Sequence, residues 1–162
     1  MPARIACLSL MVLLVGGAAA IVRAQDDEPT AKQIAAIRDC VEKNQDDVTE
    51  AERLCLFNLV ATPCQSTSEG QSNLGMADCF RLEGRIWDDL LNDNFKHLRA
   101  SLDDQQMAKA REMQRVWIAS RERTCGFYEV KIRGSMAIPL GAACIARETA
   151  RRALLLKSLD GL

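Results

Sequence analysis

Seven cysteines, one histidine and a few neighbouring carboxylates are the groups in this 162-residue chain that could do chemistry. Cys7 lies in an apolar leader; Cys40, Cys55, Cys64, Cys79, Cys125 and Cys144 follow it. An even set of thiols beyond an export leader reads as a disulfide framework. Zinc is the competing use, but there is no Cys-x-x-Cys pair and His97 is the single histidine, so no tetrahedral ligand set is at hand. No metal and no cofactor is expected. Catalytic sets are missing too. His97 has no matched nucleophile, and Ser135, in Gly134-Ser135, has neither a Gly-x-Ser-x-Gly context nor a base. Asp88 and Asp89 are adjacent, so on a helix they diverge by about 100° and cannot flank one bond. The chain reads as a binding protein, not an enzyme.

The leader sets the compartment. Met1 to Arg4 is a short basic start, and Ile5 to Val22 is apolar without a charge. Val22-Arg23-Ala24 then precedes the acidic run Asp26-Asp27-Glu28. This is signal-peptide architecture over residues 1–24, with cleavage expected after Ala24. An uncleaved anchor is the rival, since the apolar run is just long enough to span a bilayer. Gly16-Gly17-Ala18-Ala19-Ala20 weakens that reading. The expectation is a periplasmic or secreted protein of residues 25–162, free of the membrane after cleavage, folded as one domain. Losing Arg4 and Arg23 takes the net charge from −1 to −3. Residues 25–104 are net −9 and residues 105–162 net +6. Antiparallel helices can neutralise that difference internally; otherwise it gives an acidic pole suited to a cationic partner. Export and a negative balance argue against nucleic acid.

Helices must position these groups, because no alternation of strand type appears. Thr30 can cap a helix to about Asn44 with Ile34, Ile37 and Val41 on one side. Asp46-Asp47-Val48 turns the chain, and Thr49-Glu50-Ala51-Glu52 offers a capping box for a second helix over about 50–61, ending before Pro63. Cys40 and Cys55 would lie about 22 Å apart on one continuous helix, so pairing requires the chain to fold back between them. Residues 30–62 thus read as a Cys-closed hairpin. Cys64 and Cys79 repeat the spacing around a polar loop, with a cap at Ser72 or Asn73.

Two long helices follow, at about 74–101 and 104–132. The first buries Phe80, Trp87, Leu91, Phe95, Leu98 and Leu102; Asp88, Asp89 and Asp93 lie largely off that stripe. Asp103 with Gln106 caps the second, and the pair is expected to pack antiparallel. On the second, Met107, Ala110, Gln114, Trp117, Arg121 and Cys125 share one face. Its polar members flank Trp117 at helical spacing, so the Arg121 guanidinium can lie on the indole. Lys131 to Gly141 reads as a loop, because it holds Gly134 and Pro139, and a last helix runs over about 140–159. Pairing neighbours across each turn gives Cys40–Cys55, Cys64–Cys79 and Cys125–Cys144, one of fifteen arrangements. The fold class is all-α: a disulfide-stapled antiparallel bundle with two long central helices, a C-terminal helix and shorter N-terminal helices.

One ordered set of residues carries a resemblance. Trp87-Asp88, Leu91-Asn92, Phe95 and Leu98 are followed by Gln114-Arg115, Trp117-Ile118, Arg121 and Cys125, then by Cys144, Thr149 and Arg152. The series, over about Cys64 to Leu159, resembles the lysozyme-inhibitor LprI N-terminal-domain family of small exported bacterial helical proteins. Phe95 stands where the family often has tyrosine, and its Gly-Gly-Ser-like turn is reduced to Gly134-Ser135. The resemblance groups Asn92, Gln114, Trp117, Arg121, Thr149 and Arg152 as a structural polar network, with a ligand pocket as the other use of the same groups. It also implies a protein partner, lysozyme or another cationic envelope protein. Contact would then fall to Arg133, Gly134 and Ser135 in the 131–138 loop and to the acidic Asp88, Asp89 and Asp93. The alternative is an envelope scaffold or binding module with no effect on lysozyme.

Overall fold

A computed structural model describes residues 28–161. The expected signal segment at 1–24 lies outside these residues. Helix α1, Ala31–Lys43, is capped by Thr30, whose side chain and that of Gln33 bond reciprocally to each other's backbone N–H. Helix α2, Val48–Cys55, starts on Asp47, not on the expected Thr49; the Asp47 carboxylate accepts from the N–H groups of Thr49 and Glu50 at 2.9 and 3.0 Å. It also ends six residues early. Phe57 takes a positive φ of 66°, which breaks the helix, and α3, Ala61–Gln65, restarts it. Pro63 therefore falls in the first turn of α3, where an N–H is not needed, and does not act as a stop. A 3-10 turn at Glu69–Gln71 leads to α4, Asn73–Leu98, capped by Ser72. The tuck is tight: a Cβ on Gly75 would sit 1.9 Å from the Glu69 carbonyl oxygen.

Helix α5 runs Asp104–Ile132 from the Asp103/Gln106 capping box, and α6 runs Ala137–Asp160. The expected loop at 131–141 is thus a connection of only residues 133–136. Pro139 again lies in a first helical turn, which tolerates it.

The long helices pair differently from the expected α4–α5 hairpin. Helix α4 packs chiefly on α6, and α5 packs on α6, not on α4. Asn73 meets Ser135 and Asn94 meets the Ala153 carbonyl, pairs separated by 62 and 59 residues. A near-constant offset means that α4 and α6 run parallel. Between α5 and α6 the separations widen from 19 at Cys125–Cys144 to 28 at Arg121–Thr149 and 38 at Gln114–Arg152, so α5 runs back antiparallel. Alanines explain the preference for α6. Ala143, Ala146, Ala150 and Ala153 are buried on it, and a Cβ on Gly84 of α4 would already touch Ala146 at 3.4 Å. Small side chains let the two axes approach and the flanking Ile86, Trp87, Leu90, Leu154 and Leu156 interdigitate. Helix α5 buries only Ala110 and Cys125 among its residues. The stripe read from sequence is otherwise half-buried.

The N-terminal hairpin closes the other side of the core. Ile37, Val41, Ala51, Cys55 and Val60 join the cluster around Trp87. Exposed pairs Arg38–Asp93, Arg151–Glu52 and Lys157–Glu42 bridge it to α4 and α6 at 2.7, 2.7 and 3.1 Å. Such surface pairs each contribute about 0–1 kcal/mol, so apolar burial holds the hairpin. Among the described residues, no helix is long and apolar enough to cross a membrane.

Candidate functional site

The cysteines pair in sequence order. Cys40–Cys55, Cys64–Cys79 and Cys125–Cys144 have Cα atoms 5.7, 5.6 and 5.4 Å apart. The first closes the α1–α2 hairpin, the second fixes α3 to the start of α4, and the third fixes α5 to α6.

Beside the third disulfide lies a layer built on Trp117. The Arg121 guanidinium carbon sits 4.7 Å from the indole centroid and that of Arg152 5.5 Å, so two cations share one ring. Arg121 Nη1 donates to Thr149 Oγ1 at 2.9 Å, and the Thr149 hydroxyl donates to the Ile145 carbonyl at 2.8 Å. Arg152 Nε donates to Gln114 Oε1. Five of the six grouped residues therefore meet. Asn92 does not: it is exposed and donates only to Asp88 Oδ2 at 3.2 Å. Leu90 and Leu91 turn to the core, which rotates position 92 outward, and Asn94 makes the inward bond to α6 in its place.

Among the described residues the layer has no counter-ion: no carboxylate pairs with Arg121 or Arg152, and Arg121 Nε and Arg152 Nη2 are buried without a hydrogen-bond partner there. Burial holds Arg152 below the usual arginine range. On the side of the disulfide, a groove of about 770 Å³ runs between α4, α5 and α6. Asp88 and Asp89 line it, but so do Arg81, Arg85 and Arg121. The α4 face is thus mixed in charge, not a plain acidic surface, and Asp93 is occupied by Arg38 at 2.7 Å.

The corner between α5 and α6 forms a tip. Arg133 ends α5 in the left-handed conformation, φ 50° and ψ 42°, with its N–H on the Glu129 carbonyl. The positive φ falls on Arg133, whereas Gly134 does not use its freedom. Ser135 Oγ accepts from Asn73 Nδ2 at 2.8 Å, tying the corner to the start of α4. Phe127 and Val130, 60% and 65% exposed, lie near it on α5, with Ile132, Met136 and Ile138 exposed around the apex. Cys125–Cys144 clamps the two helices about 12 Å below Arg133.

Sequence reasoning missed Glu83. It is fully buried on α4, and its carboxylate accepts from the Phe57 N–H at 2.7 Å, the Ala61 N–H at 2.9 Å and Trp87 Nε1 at 2.9 Å. It therefore caps the break between α2 and α3 from outside. Burial pushes its pKa up from 4.5, and the three donors only partly oppose this. The signal was present: Glu83 stands between Phe80 and Trp87 on the buried stripe, four residues before the indole it binds.

A comparison with known families finds one match, to the family described as lysozyme inhibitor LprI, over residues 64–156. No curated protein and no solved structure matches the chain. The matched span holds the Cys64–Cys79 and Cys125–Cys144 bonds, the Trp117 layer and the Arg133 tip, and leaves out the α1–α2 hairpin. With more than half of its length in that span, the chain belongs to the lysozyme inhibitor LprI family.

Proposed function

We propose that the protein is exported, loses residues 1–24, and acts in the periplasm or outside the cell as a one-domain protein that binds and inhibits lysozyme-type muramidases. The observation that carries the mechanism is Arg133 in a left-handed conformation at an exposed apex. That conformation costs a non-glycine residue about 1–2 kcal/mol, and strain of this kind clusters where a side chain has a task. The tip is held by the disulfide clamp and the Asn73–Ser135 bond, which lowers the ordering cost of binding. Glycoside hydrolases of the lysozyme kind flank the scissile bond with two carboxylic groups in a cleft. A guanidinium matches a carboxylate with two parallel hydrogen bonds, and the exposed Ile132, Met136 and Ile138 supply apolar contact around it. Asp88 and Asp89 would meet the basic rim of a cationic enzyme and speed encounter.

The test is loss of turbidity of bacterial cell walls under lysozyme, with and without the purified protein. Inhibition is expected, and Arg133→Ala should weaken it about tenfold or more, the scale of one charge-assisted hydrogen bond. No inhibition at large molar excess across several lysozyme classes would sink this reading in favour of an envelope scaffold or binding module.

A further inference from the structure

On the side of the Trp117 layer away from the tip, a second groove of about 880 Å³ lies between the first half of α5 and the ends of α4 and α6. Leu98, Leu102, Met113, Val116, Trp117 and Leu159 make most of its wall. Arg152 also lines it, is only 8% exposed, and keeps Nη2 without a protein partner. Lys109, at the rim, is occupied by Glu112 at 3.2 Å. Gln106, Glu112 and Ser120 line it as well, and a mostly apolar groove of this size with a few polar groups fits the general form of a small-molecule site. Of these groups Arg152 is the buried one, a cation with no anion among the described residues, which costs stability until an anion arrives.

We propose that this groove binds a single-chain fatty carboxylate, with the hydrocarbon along Leu98, Leu102 and Leu159 and the head group on the Arg152 guanidinium. Charge selects the head: Nε is held by Gln114 and Nη2 is buried, so Nη1 is left to give a carboxylate one charge-assisted hydrogen bond. The walls select the tail. Leu98, Leu102, Met113 and Leu159 present apolar side chains, which pack on an acyl chain and offer a peptide's amides nothing to pair with. The site is separate from the Arg133 tip and stands or falls independently of lysozyme inhibition.

Isothermal titration calorimetry of the purified, oxidised protein with decanoate and decan-1-ol, both below micelle formation, tests it. Decanoate is expected to bind at least about tenfold more tightly than the alcohol. Arg152→Met should erase that preference. Leu159→Trp fills the groove but leaves Arg152 and Gln114 in place, so it remains informative if Arg152→Met fails to fold; it should weaken both ligands about tenfold or more. Equal affinity for acid and alcohol, no heat from decanoate, or a Leu159→Trp protein that binds as before would each overturn the proposal. Tighter binding of N-acetyl-leucyl-leucine than of decanoate would overturn the lipid assignment in favour of a peptide terminus.

Discussion

Arg121 within α5 and Arg133 at its C-cap should respond to mutation in opposite ways. Arg133 is exposed and occupies a left-handed position that glycine adopts without cost. Arg133→Gly should therefore raise stability by about 1 kcal/mol while weakening lysozyme inhibition, a trade read by pairing a thermal melt with the turbidity assay. Arg121 lies on Trp117 and donates to Thr149, so its stem and head both pack. Arg121→Ala should destabilise by about 1–3 kcal/mol and leave the tip's affinity within a few-fold. Unchanged melting with a collapse of inhibition would show instead that the layer is the partner-binding site.

At the scale of elements, Glu83 makes α4 the cap of the α2–α3 break. Its pKa is raised on folding, so its contribution to stability is fully present in acid, below 4.5, and is lost as pH rises through the raised value. The melting temperature should fall as pH is taken upward from 4.5, and Glu83→Gln should flatten that slope. The same change removes an acceptor from the Ala61 N–H and should cost about 1–3 kcal/mol at neutral pH, measured by denaturant unfolding. This residue also shows where the sequence stopped being legible. The bounds and cap of α5 were readable, because Asp103 and Gln106 are local signals and no Pro interrupts the helix. The α2 break was not, since what permits it is a carboxylate that arrives from Glu83, 26 residues beyond Phe57. Pro63 and Pro139 misled for a simpler reason. A proline stops a helix interior but fits a first turn, and sequence alone did not say which turn each occupied. Asn92 and Asn94 are about 200° apart on one helix and so face opposite ways; the resemblance grouped Asn92 with the network, and the one that reaches α6 is Asn94.

Over the whole molecule, α4 and α6 form the spine and α5 is held against it by few buried groups. Ala110 and Cys125 are its only buried residues, and Val116, Phe127 and Val130 face outward. Replacing Cys125 and Cys144 by alanine should leave α1–α4 and α6 folded while α5 opens. Hydrogen exchange is expected to show loss of protection confined to 104–136, and the loop-closure model puts the lost stability at about 3 kcal/mol. Global unfolding in place of this local opening would mean that α5 belongs to the core. The all-α class and the six-cysteine framework were readable from composition and period. The parallel pairing of α4 with α6 was not. It rests on the alanine-rich face of α6 meeting Gly84, a match between two segments about 60 residues apart that no local pattern signals.

The order of the cysteine bonds bears on how the chain matures. From Cys40 onward the six cysteines are joined in sequence order, Cys40 to Cys55, Cys64 to Cys79 and Cys125 to Cys144. A thiol oxidant meeting the chain as it emerges from its amino end would form each native bond before the following pair is presented. The parallel spine, in contrast, cannot assemble until α6 has appeared, so oxidation can run ahead of core formation without trapping a wrong pair. Stepwise emergence removes the usual need for disulfide shuffling. Full-length protein refolded all at once from the reduced state faces all fifteen pairings and should benefit from an isomerase, whereas protein oxidised during vectorial release should not.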